Sequence, residues 1–171
     1  MSTRKFLALA VLAASPALAQ GPNLGQPVTE ADIRPWDISI LPDGTGLPAG
    51  SGTAAQGGRI YAEKCLSCHG EAGRGGTAAP LVGGAPLSAI NTPKTIANFW
   101  GTSTTVFDFI RRAMPWQQPR TLSDDEVYAL TAYILAENKL IGANDVINAK
   151  TLPQVKMPNR DNFILRFPDR I

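Results

Sequence analysis

Apolar residues recur at helical spacing in two stretches of this chain. Over residues 102–113, Val106, Phe107, Phe109 and Ile110 give an apolar face, and Thr102 or Ser103 is placed to cap its start. From Ser123 to about Asn138, Val127, Leu130, Ile134 and Leu135 form a second face, flanked by Tyr128 and Tyr133. Ser123-Asp124-Asp125-Glu126 reads as a capping box with acidic residues in the first turn, and Gly142 closes the region. A third helix is predicted from about Gly52 to Lys64. Gly57 and Gly58 would stand in its middle, where glycine costs stability unless something uses the space. Gly57, Tyr61 and Cys65 recur every fourth residue and share a face. The last helix is therefore expected to cross the first near Gly57 and Tyr61. A short helix is expected after Pro93.

Between these helices the periodicity lapses. Residues 70–77 hold Gly70, Gly73, Gly75 and Gly76 and read as a loop. A phosphate-cradling reading fails, because neither the preceding strand nor the Gly-Lys-Ser/Thr ending is there. Residues 20–50 hold Pro22, Pro27, Pro35, Pro42 and Pro48 with as many glycines, which favours extended, turn-rich chain. Trp36, Ile33 and Ile38 lie in this extension, so it packs either on the rest of the chain or on a partner. The tail over 143–171 carries Pro153, Pro158 and Pro168 with Phe163, Ile164, Leu165 and Phe167. It either wraps the domain or docks a partner. At the start, Arg4 and Lys5, the apolar run from Phe6 to Ala14, and Ala17-Leu18-Ala19 form a secretory signal, with cleavage expected after about Ala19. That run is too short to span a bilayer, and no later stretch is long and apolar enough. The expected divisions are a signal over 1–19, an N-terminal extension over 20–50, a helical domain over 51–142, and the tail.

The 171 residues include 16 basic and 14 acidic side chains. Without Arg4 and Lys5 the two signs balance, which gives no pointer to nucleic acid or an anionic membrane surface. The helical region is small for a self-sufficient apolar core. The chain has two cysteines and one histidine, and all three stand in Cys65-Leu66-Ser67-Cys68-His69. Cys-x-x-Cys-His is the attachment signature of a c-type haem. Two thiols at this spacing add to the two vinyl groups on one edge of a porphyrin, and the next imidazole reaches the iron. A structural zinc site would need four Cys or His ligands. A thioredoxin-like pair would need a βαβ pattern around it. Neither is present in the sequence. One motif means one haem c, whose apolar bulk would complete the core. Export agrees with attachment outside the cytoplasmic membrane, so a periplasmic location is expected.

His69 is the sole histidine, so a second axial ligand must be of another type, and methionine is the usual one in small electron-transfer cytochromes. Met1 lies in the signal. Met114, just past a helix end and stiffened by Pro115, is assigned as the sixth ligand; Met157 is the alternative. A backbone carbonyl near Pro80 is expected to accept the Nδ1 proton of His69, and Leu81 to pack on the haem face. Trp100 either reaches a propionate through its indole N–H or packs in the core. Arg111 or Arg112 either pairs with a propionate or is solvated. With His69 and Met114 both bound, no coordination position is open to substrate, so electron transfer rather than catalysis is expected. The contrasting reading is a haem enzyme with a labile sixth ligand.

The arrangement of Gly57, Tyr61, Cys65, Cys68 and His69, with Pro80-Leu81-Val82-Gly83, Met114-Pro115 and a final helix, resembles the class I cytochromes c over about residues 50–140. That resemblance implies an all-α class I cytochrome c fold, here with Pro-rich N- and C-terminal extensions. Residues 31–38 and 41–48, residues 107–115 with 125–135, and Lys156-Met157-Pro158-Asn159-Arg160-Asp161 are similar to the haem subunit of sulfur dehydrogenase (SoxD) and to cytochromes of sulfite dehydrogenases. This second resemblance implies a molybdenum-cofactor dehydrogenase subunit as electron donor and a downstream cytochrome or oxidase as acceptor. The resembling subunit carries a second haem domain, whereas this chain has one haem motif.

Overall fold

The computed structural model describes residues 25–163. The signal, its cleavage site, and Ile164, Leu165 and Phe167 lie outside them. The described residues divide into two compact units, one ending at Asp37 and one starting at Ile38. In the first, a single turn α1 (Glu30–Ile33) starts at Thr29, whose side chain exchanges capping bonds with Asp32. None of the α1 residues is buried, and Trp36 is 79% exposed.

Among the described residues, the second unit holds five α-helices, three short 3-10 turns and a pair of short strands. The order is β1 (Ser51–Thr53), α2 (Ala54–Lys64), α3 (Leu66–His69), α4 (Ile96–Phe99), α5 (Ser103–Ala113), α6 (Asp124–Glu137) and β2 (Val146–Asn148). Four helices begin on a Ser or Thr whose oxygen takes up a free N–H of the first turn. Thr53 with Gln56, Thr95 with Asn98, and Ser123 with Glu126 complete reciprocal capping boxes. Thr102, not Ser103, caps α5; Ser103 is buried and donates to the Leu152 carbonyl at 2.6 Å.

The fold is mostly helical, in keeping with the class I cytochrome c reading, and the structure adds one short antiparallel pair in which β1 and β2 align Ser51 with Asn148, Gly52 with Ile147 and Thr53 with Val146. α2 accordingly begins at Ala54, since residues 51–53 are spent on the ladder. The tail is drawn in through these strands. Ile147, Leu152 and Met157 are buried in the core, so the segment after Gly142 wraps the domain as far as it is described.

Helix α6 is the spine. Residues 127–132 are all buried, because α2 and β1 cover one side and α5 and β2 others. Tyr128 is therefore a core residue and not a flank. Its ring meets Phe107 at 4.4 Å, and its hydroxyl donates to the Pro48 carbonyl. α2 crosses α6 where expected. A Cβ at Gly57 would fall on the Ala129 carbonyl, and Tyr61 stacks at a tilt on Tyr133 with centroids 4.9 Å apart. Gly52 also lies against the Ala129 backbone, so two glycines let two elements reach the same turn of α6.

Candidate haem-binding site

α2, α5 and α6 and the loops between them enclose a cavity of about 560 Å³. Cys65 ends α2 and Cys68 and His69 lie on the single turn α3, so Cys65, Cys68 and His69 reach one wall together. The turn is held at both ends. Cys65 N–H donates to Tyr61 and Gly70 N–H to Leu66. Gly70 then leaves the helix with φ of 76°, and a Cβ there would strike the Arg74 carbonyl. The Tyr61 hydroxyl donates to the Gly70 carbonyl at 2.8 Å and pins the same corner. Burial pushes the Tyr61 phenol up to about 12, with Cys65 and Tyr133 adding to the effect. Burial, then the neighbouring Cys68, push the Cys65 thiol up to about 11, against the pull of Lys64. Cys65 and Cys68 form no disulfide.

His69 Nδ1 lies 3.1 Å from the Ala79 carbonyl, which can only accept, so Nδ1 carries a proton and, in the neutral ring, the lone pair is on Nε2. The acceptor belongs to the residue before Pro80, inside the stretch the sequence pointed to. Pro80 and Leu81 continue that wall. Met114 follows the last residue of α5 and also lines the cavity. Met157 is 3% exposed in the core and is not among the lining residues. Trp100 lines the cavity and meets Phe109 edge-on at 5.5 Å. Arg111 pairs with Asp124 at 3.0 Å and Arg112 with Asp108 at 2.7 Å, so both guanidiniums are held by the chain's own carboxylates.

The residues present fit a haem. The cavity has the size and apolar lining of a cofactor site, with few polar groups. It carries two thiols, an imidazole already fixed in the ligating tautomer, and a thioether. Among the described residues no group of three His, Cys, Asp or Glu side chains is arranged to hold a metal ion by itself. No described helix is long and apolar enough to cross a membrane.

Sequence reasoning did not find Asn138, Thr95 and Asn98 at this site. Their side chains hold the loop that bears the Ala79 carbonyl. The one local signal was the Thr95–Asn98 spacing, which has the form of a capping box.

A mostly helical domain closed by crossing first and last helices around a Cys-x-x-Cys-His cavity defines a cytochrome of the class I type. Residues 52–134 match the family described as cytochrome c oxidase, cbb3-type, subunit III. A chain in the crystal structure of the sulfane dehydrogenase SoxCD from Paracoccus pantotrophus is 36% identical, with a TM-score of 0.78. The match covers 86% of this chain and 74% of that one. This chain belongs to the family of SoxD-like c-type cytochromes. It resembles an electron-carrying subunit and not a catalytic one.

Proposed function

We propose that this chain is a monohaem periplasmic cytochrome that accepts single electrons from a molybdenum-dependent sulfite or sulfur-compound dehydrogenase subunit. It would pass them to a downstream cytochrome or oxidase. The observation that carries the reading is the shared cavity: Cys65, Cys68, His69 and Met114 all line one apolar space in a chain 36% identical in sequence to a chain of a sulfane dehydrogenase structure.

When bound, the haem supplies an iron that alternates between ferric and ferrous states and so holds one electron. Cys65 and Cys68 would hold its edge by thioether bonds. His69 would ligate through Nε2, since Nδ1–H is committed to Ala79, and that bond raises the basicity of the imidazole. Met114 would supply a thioether, which favours a high potential. Leu81 and Trp100, which line the cavity, would pack against the bound group, and Pro80 would stiffen the backbone beside the Ala79 carbonyl.

The test is to mix oxidised holoprotein with the molybdenum subunit of such a dehydrogenase, add sulfite or a sulfane substrate, and follow the haem absorbance. Rapid reduction that depends on the subunit supports the reading. Normal reduction by a chemical donor but none through the subunit would leave an electron carrier with another donor.

A further inference from the structure

The loop over residues 78–85 carries the acceptor for His69, and about half of its backbone N–H and carbonyl groups are hydrogen-bonded to other parts of the chain. Ala78 N–H donates to Cys68 at 2.8 Å and Leu81 N–H to Gly73 at 2.9 Å. The Leu81 carbonyl accepts from Ile96 N–H and from Asn138 Nδ2. Gly83 N–H donates to Asn138 Oδ1 at 3.0 Å, and the Gly83 carbonyl accepts a short bond from the Thr95 hydroxyl. The Ala85 carbonyl accepts from Asn98 Nδ2 at 2.8 Å. Gly83 and Gly84 have φ of 88° and 95°, and a Cβ on Gly84 would stand 2.6 Å from Asn98 Nδ2.

Asn138 is the C-cap of α6, a position that requires no side-chain reach of this kind. Its amide nonetheless makes three bonds: to Ile134 in its own helix and to Leu81 and Gly83 in the loop. The side chain thus joins the spine of the fold to the loop under His69. Thr95 makes the matching link from α4, where it is also the helix cap and 4% exposed. Neither residue is a candidate ligand.

We infer that Asn138 and Thr95 are positioning residues that set the strength of the His69–Ala79 hydrogen bond and, through it, the donor strength of the imidazole. This rests on the reading of His69 as an iron ligand. A carbonyl held rigidly at 3.1 Å keeps the Nδ1 proton strongly bound and the ring electron-rich, which favours ferric iron. A carbonyl on a loosened loop does so less, and the reduction potential rises.

The experiment uses covalently loaded holoprotein and the variants Asn138→Ala, Thr95→Val and Thr95→Ser. Two readouts are followed: the reduction potential, and the hydrogen exchange of the His69 Nδ1 proton by NMR. Asn138→Ala and Thr95→Val are expected to raise the potential and to speed that exchange roughly tenfold, the scale of one lost hydrogen bond. Thr95→Ser keeps the hydroxyl and is expected to match wild type on both. Ser103→Ala removes a buried bond to Leu152, away from the cavity lining, and serves as the control for a stability loss alone. Wild-type potential and exchange in both Asn138→Ala and Thr95→Val would overturn the inference, and Thr95→Val alone decides if Asn138→Ala does not fold. Absence of iron-shifted His69 ring resonances in wild type would overturn the ligand assignment and this inference together. Shifted resonances that the variants leave unmoved would overturn this inference alone.

Discussion

Met114 and Met157 both precede a proline, and sequence context separates them only by their distance from a helix end. The fold separates them by environment. Met114 follows α5 into the cavity, while Met157 fills the core among Ile147 and Leu152. Met114→Ala is expected to abolish the methionine–iron charge-transfer band of the oxidised protein and to lower its potential. Met157→Ala should keep the band and lose about 2–5 kcal/mol of stability. A band that survives Met114→Ala would sink the ligand assignment. The ligand motif was legible because attachment chemistry imposes a fixed local spacing on Cys65, Cys68 and His69. Asn138 was not, since its role depends on a loop far away in sequence. Arg111 was open for a like reason, since its partner Asp124 lies on another helix, whereas Asp108 stands four residues before Arg112 on α5 and that pairing follows from helical spacing.

At the scale of elements, the longer helices and α4 were legible, while the single turns α1 and α3 and the strands were not. Capping residues and apolar spacing marked α5 and α6 to within a residue or so. Strands of three residues carry no period to read, so β1 was absorbed into the start of α2 and β2 into the tail. The paired glycines of α2 show what a sequence can suggest without resolving. Both cost helix stability, but only Gly57 lies where a Cβ would collide with the Ala129 backbone; at Gly58 it would make an ordinary contact with the Tyr133 ring. Gly57→Ala is therefore expected to destabilise the protein by about 1–3 kcal/mol or more. Gly58→Ala should be neutral or stabilising by up to about 1 kcal/mol, the gain in helix propensity. Thermal unfolding of the two holoprotein variants checks the contrast, and equal losses would mean that the crossing tolerates a methyl group.

For the molecule as a whole, the segment after Gly142 belongs to the core. Leu152 is fully buried and its carbonyl accepts from Ser103, so the tail fastens the start of α5 from outside. Leu152→Ala is expected to cost about 2–5 kcal/mol in denaturant unfolding while leaving the haem spectrum of the folded fraction unchanged. A spectral change without a stability loss would mean that the tail acts on the site directly. The sequence left this segment between wrapping and docking because its prolines break any periodic signal. Its buried residues are scattered one at a time between turns.

The pairing of β1 with β2 and the seating of Gly52 and Gly57 on α6 also bear on the order of events during folding. Ser51 N–H bonds Asp125, 74 positions away, so the ends of the domain must find one another across a long loop, and contacts of this kind form late. Until α6 and β2 dock, the chain presents both thiols in an open segment. The last third of the chain then closes the wall behind whatever has been joined to them.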